Sequence, residues 1–158
     1  MKKLIYVDNA ATTKISKPVF ESMIPFLEND FGNPSSLYSI AKDARKAMEK
    51  SRQVIADCIN ARSDEIFFTS CGTESDNWAL KSSVKLGQPG HIITSQIEHH
   101  AVLESVHFLE RNGINVSYLK PDKFGIIHPE TLEKEIKSDT NLVSIMMSNN
   151  EIGSIQPL

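Results

Sequence analysis

Four short apolar runs, Ile66 to Thr69, His91 to Ser95, Val116 to Leu119 and Leu142 to Met147, do most to limit what this chain can become. Each is mostly apolar on both faces, the pattern of a strand covered by helices on either side. Between them lie segments whose apolar residues recur every three or four positions. Strand and helix therefore alternate from about residue 64 onward, and that order predicts an α/β layered domain with a largely parallel sheet.

The clearest helical segment is 41 to 60, where Ala44, Ala47, Met48, Ser51, Val54, Ile55, Cys58 and Ile59 form one stripe. A buried stripe makes Cys58 an inert core thiol. Pro18 suits the first turn of an earlier helix over 18 to 28, which Pro25 is expected to bend or shorten. Further helices are expected from Glu74 to Lys85, over 100 to 111 with Val102, Val106 and Leu109 inward, and from Pro129 with Leu132 and Ile136 inward. In the first third, residues 8 to 13 and 31 to 36 are loop-like and flank helices.

Bulk properties narrow the function. The chain has 158 residues, 40% hydrophobic and 23% charged, which is ordinary for a soluble globular domain. A net charge of −3 and five scattered histidines offer no basic face for nucleic acid. The apolar run at Leu4 to Val7 is too short for a signal peptide, and nothing approaches a membrane span. Two cysteines in unlike settings make neither a disulfide framework nor a zinc pattern, so a cytoplasmic location is expected.

Ligands of such sheets bind beyond the carboxyl ends of the strands. The first run is followed by Ser70-Cys71-Gly72-Thr73, the second by Gln96-Ile97-Glu98-His99-His100, the last by Ser148-Asn149-Asn150-Glu151. The first of these leads straight into a helix, whose opening N–H groups lack intrahelical acceptors and suit a phosphate. Gly72 admits close approach, and Thr73 and Ser75 add hydroxyls. A plain helix cap by Ser70 or Thr73 explains the same stretch. Neither a dinucleotide fingerprint nor a P-loop is present. His99 and His100 point apart and no other histidine has ligand spacing, so no metal site is expected. A single imidazole there can stack on a flat ring, move protons, or be an ordinary surface histidine. Asn149-Asn150 also reads as turn chemistry.

Taken in order, "YVDNAATT", "FGNPSS", "FFTSCGTESDN", "HIITSQIEHHAVLE", "GIIHPETLEKEI" and "LVSIMMSNNEIGSIQP" resemble the N-terminal part of the NifS/IscS-like cysteine desulfurases, pyridoxal-phosphate enzymes of the class-V aminotransferase group. The resemblance covers essentially the whole chain. It implies a three-layer α/β transferase domain of this cofactor class, with residues 1–15 as an N-terminal loop segment and 16–158 as the first part of the cofactor-binding large domain, incomplete at its C-terminus. Gly72 and Thr73 match the positions that hold the phosphate of pyridoxal 5′-phosphate. His99 matches the histidine that stacks over the ring and assists proton transfer, and Asn150 the asparagine near the ring oxygen. Cys71 stands where many relatives have glycine.

The implied reaction converts L-cysteine to L-alanine and hands the sulfur to an enzyme cysteine, for iron–sulfur cluster or thio-cofactor assembly with an acceptor or scaffold protein. It also needs a cofactor-bearing lysine, an aspartate and a glutamine on the ring, and a cysteine on a mobile loop. No residue of this chain matches those four, so the chain by itself is expected to be inactive and to work as a homodimer or with a missing C-terminal part. A selenocysteine lyase or another class-V relative shares these motifs, and a non-catalytic interaction module is the reading from a different class.

Overall fold

The computed structural model describes residues 5–157; the basic start at Met1 to Leu4 and the final Leu158 lie outside the described residues. The chain forms two compact units, one ending at Phe68 and one beginning at Thr69.

In the first unit, residues 5–16 form no helix or strand, and α1 spans Lys17–Glu28. Pro18 sits in its first turn, and the helix passes through Pro25 and stops one turn later, where the Asn29 and Asp30 N–H groups both reach the Pro25 carbonyl at 2.9 Å. Helix α2 spans Ile40–Cys58. The loop before it is fixed by close packing: Gly32 is buried, and a Cβ there would run into the Ile40 carbonyl. Arg45 then clamps the loop, donating through Nε to Pro34 O at 2.7 Å and through Nη2 to Ser36 O at 2.8 Å.

Two expectations fail in this unit. The α2 stripe forms as a helical face, yet only Ala41 and Ala56 are buried on the helix, and Val54, Ile55, Cys58 and Ile59 are exposed. Periodicity sets which residues share a face, but burial needs a covering element, so Cys58 is a surface thiol rather than a core one. The run Ile66 to Thr69 is not a strand and lies outside the three-stranded sheet. The Ile66 carbonyl accepts from Arg52 instead, whose guanidinium lies 4.8 Å from the Phe68 ring centre. An apolar run outside a ladder stays irregular.

The second unit is a three-stranded parallel sheet in the order β2-β1-β3, with β1 at His91–Ser95, β2 at Asn115–Leu119 and β3 at Thr140–Ser144. Its helices are α3 (Gly72–Ser82), α4 (His100–Arg111) and α5 (Pro129–Glu135). Helix α3 starts two residues before the expected Glu74, because Cys71 is extended and Gly72 takes the first helical position. It stops at Ser82, where the Ser83 hydroxyl takes the Leu80 carbonyl at 2.7 Å. Strand β1 is buried throughout, and its successive residues face opposite layers. Ile92 packs with Leu80, Val102, Val106, Leu109 and Ile114 under α3 and α4. Ile93 packs with Leu119 and Ile127 on the other face, joined by Leu132 of α5. Each such burial contributes about 1.5–3 kcal/mol. Ile136, expected inward, is exposed because α5 ends at Glu135 and the backbone turns extended at Ile136.

At the amino ends of the strands a polar chain crosses the sheet. The Lys137 N–H donates to Thr140 Oγ1 at 2.8 Å, which lies 2.8 Å from His91 Nδ1. His91 Nε2 lies 3.1 Å from Ser117 Oγ, whose hydrogen goes to Glu135 Oε2 at 2.7 Å. Since the Ser117 hydrogen is committed to the carboxylate, Nε2 must donate, and in the neutral ring Nδ1 then accepts the Thr140 hydroxyl.

Two outcomes test this packing. Gly32→Ala is expected to lower unfolding stability by about 1–3 kcal/mol in urea titration, because the neighbouring backbone must shift; no change would contradict the close approach. Burial, with Lys137 adding to it and Asp139 and Glu135 opposing, holds the His91 pKa below its ordinary 6.5. The unfolded chain therefore binds the proton first. Stability from this group is complete above about pH 6.5 and falls as pH drops through 6.5 towards the folded value. Nitrogen-15 imidazole spectra should show the Nε2–H tautomer at pH 6.5; a His91 half-protonated there, or in the other tautomer, would contradict the network.

Candidate functional site

The carboxyl ends of β1 and β3 open onto one cavity of about 270 Å³, lined by residues 96–100 with Leu103 on one side and residues 149–152 on the other. Strand order explains its place. After β1 the chain crosses to β2 on one side, and β3 lands on the other side of β1, so the two tails part and leave a crevice. Both His99 and Asn150 line it and both are exposed.

His99 is the N-cap of α4, and its Nδ1 accepts the Ala101 N–H at 3.1 Å. A backbone N–H can only donate, so Nδ1 is unprotonated in this arrangement. The His100 ring stands edge-on, 6.4 Å away. Among the described residues no group of three or more His, Cys, Asp or Glu side chains could hold a metal ion.

Two buried residues behind this pair escape a reading by residue type. Glu98 accepts the Ser95 hydroxyl at 2.6 Å and the Met146 N–H at 2.9 Å, both on Oε1. Asn149 donates from Nδ2 to the Ile97 carbonyl at 2.9 Å and accepts the Glu151 and Ile152 N–H groups on Oδ1 at 2.8 and 3.0 Å. A buried carboxylate is tolerable only with such partners. Ser95, three residues before Glu98, supplies one of its partners, but the Met146 partner lies far along the chain, where no local pattern marks it. Nothing in the sequence separates Asn149 from Asn150; the fold does, burying the first and exposing the second.

Gly72 and Thr73 open α3 and lie outside the lining of that cavity. A Cβ added at Gly72 would meet nothing within 4 Å, so open space faces the backbone there. Their N–H groups come before the first helical acceptor; the helix ladder begins with Ser75 N–H to Cys71 O at 3.2 Å. Glu74 closes the turn from behind, taking the Ser70 N–H at 2.6 Å and its hydroxyl at 2.7 Å on Oε2. Those two bonds hold the Glu74 carboxyl below its usual range. The Glu74 N–H, then the Ser70 hydroxyl, likewise lower the Cys71 thiol from its usual 9.0.

Comparison with known proteins adds breadth. The family described as aminotransferase class-V matches residues 5–158. The chain is 51% identical over its whole length to a cysteine desulfurase IscS of Dictyoglomus turgidum, 41% of which it covers. A solved structure of a NifS-like protein superposes with a TM-score of 0.91 at 45% identity, over 95% of this chain and 42% of that one. A structure of SspA in complex with cysteine gives 0.92 at 42% identity, over 96% and 44%. The chain thus spans about two fifths of the length of these relatives.

The lowered thiol is measurable. In a Cys58→Ser chain, the rate of Cys71 alkylation by iodoacetamide should reach half its maximum below pH 9.0. A midpoint at or above that value would mean the helix start does not act on the sulfur.

Proposed function

Because the chain belongs to the class-V aminotransferase family, we propose that it is the N-terminal part of a pyridoxal 5′-phosphate-dependent cysteine desulfurase. It forms the first part of the cofactor-binding large domain, residues 16–158, after an N-terminal loop segment. The whole enzyme takes L-cysteine and an enzyme thiol to L-alanine and an enzyme persulfide. That sulfur then goes to an acceptor or scaffold protein for iron–sulfur cluster or thio-cofactor assembly. The observation that carries this reading is the cavity shared by His99 and Asn150 at the ends of β1 and β3.

Pyridoxal 5′-phosphate, when bound, supplies an electron sink for the substrate's bonding electrons. The chain's own residues do the holding. The N–H groups of Gly72 and Thr73, at the positive end of α3, take the phosphate, and the space over Gly72 fits that role. His99 offers a ring face for stacking, and Nε2 is its proton-carrying atom, since Nδ1 is occupied by Ala101. Asn150 offers an amide to the ring oxygen. No helix of the described residues is long and apolar enough to cross a membrane. The uncovered apolar faces of α1 and α2 favour a homodimer or assembly with the C-terminal part.

Pyridoxine 5′-phosphate tests the cofactor role without reacting with surface lysines. By calorimetry it should bind at least tenfold tighter than pyridoxine, and Thr73→Val should weaken it several-fold. Equal binding of the two ligands would remove the phosphate site. With pyridoxal 5′-phosphate and a thiol reductant, the chain alone should release no alanine from L-cysteine. Alanine above a no-protein control would overturn that part of the proposal.

A further inference from the structure

We propose that Glu98 and Asn149 are positioning residues, cross-linking the tails of β1 and β3 so that His99 and Asn150 keep a fixed spacing across the cavity. The inference rests on the cofactor reading of that cavity, and its test separates the two.

The ladder between β1 and β3 ends at the pair Thr94 and Ser144. Past it, residues 96–99 and 145–150 are connecting segments, and segments that leave a ladder move unless something else ties them. Two bonds do so here, one through a side chain of each tail. The Met146 N–H of the β3 tail donates to the Glu98 side chain, and the Asn149 side chain donates to the Ile97 carbonyl of the β1 tail. Each pin stands one residue before a cavity residue, Glu98 before His99 and Asn149 before Asn150. Both pins are buried, at 8% and 7% exposure, where a hydrogen bond is shielded from competing water.

Asn149 has no capacity left for a ligand. Its Nδ2 serves Ile97 O and lies 3.4 Å from Met146 Sδ, its Oδ1 takes two N–H groups, and its backbone pairs with Ser154 O and the Gly153 N–H. Glu98 spends one oxygen on both of its bonds, so an uncharged amide oxygen in the same place serves equally well. That makes the acceptor, not the charge, the working part.

The test compares Glu98→Gln, Glu98→Leu and Asn149→Asp with the unaltered chain. Asn149→Asp keeps the Oδ1 acceptor but sets an oxygen against the Ile97 carbonyl, breaking one pin alone. We measure amide exchange at Met146 and Ala101, nuclear Overhauser contacts between the two loops, and pyridoxine 5′-phosphate affinity. Exchange at Ile93 and Val116 serves as the folding control. Glu98→Leu should speed Met146 exchange at least tenfold, and both Glu98→Leu and Asn149→Asp should lose the cross-loop contacts and weaken the ligand about tenfold, with the control amides unchanged. Glu98→Gln should stay within twofold of the unaltered chain on each measure. Persistence of the contacts in Asn149→Asp, or a Glu98→Gln as impaired as Glu98→Leu, overturns the proposal. Should Glu98→Leu fail to fold, the Gln and Asp variants decide. Should the unaltered chain not bind the ligand, the cofactor reading fails while the exchange and contact data still judge the pins.

Discussion

A strand with no exposed face needs ladder partners on both sides and layers above and below; β1, buried at each of its five residues, pairs with β2 along its whole length and with β3 from His91 to Thr94. Ile92 calls for α3 and α4, Ile93 for the layer that includes α5, and the backbone calls for β2 and β3. The rest of the second unit is arranged around satisfying it. Because the neighbours lie on opposite sides of β1, the crevice at its carboxyl end follows from the same requirement.

The two ends of β1 use polar groups differently. At the amino end, His91 is enclosed in a chain of hydroxyls and a carboxylate that leaves no atom facing outward. At the carboxyl end, the buried Glu98 and Asn149 absorb the structural bonds, which leaves the exposed His99 and Asn150 facing open space. Burial thus divides adjacent residues into those that hold and those available to bind. The division is sharpest at Asn149-Asn150, where identical side chains differ in burial.

That division also explains what could be read from the residues alone. Helix α4 is legible to its ends, because Val102, Val106 and Leu109 recur on one face and that face is covered. The α2 pattern is equally periodic, yet it reports a shared face only, and nothing in Val54 or Ile55 says whether another element lies over it. The run at Ile66 has strand composition but lies outside the sheet, and membership of a ladder is a property of the whole sheet. At the site, His99 and Asn150 follow from the rule of strand ends, since both tails continue parallel strands. Gly72 and Thr73 follow from a helix start instead, so their distance from the cavity lining is something no local pattern encodes. Asn149 and Glu98 make contacts across some fifty residues of chain, beyond the reach of any short motif.

The order β2-β1-β3 has a consequence for synthesis of the chain. The strand that is most enclosed at the end is the first of the three to be made. It then waits for β3, completed at Ser144, roughly fifty residues later, or about 2–10 s at typical elongation rates. Throughout that interval His91-Ile92-Ile93-Thr94-Ser95 has one open edge in a nascent chain, whatever β2 has already done. The centre of the sheet is therefore the segment most in need of protection on the ribosome, and the period of its exposure is set by how far downstream its second neighbour is encoded.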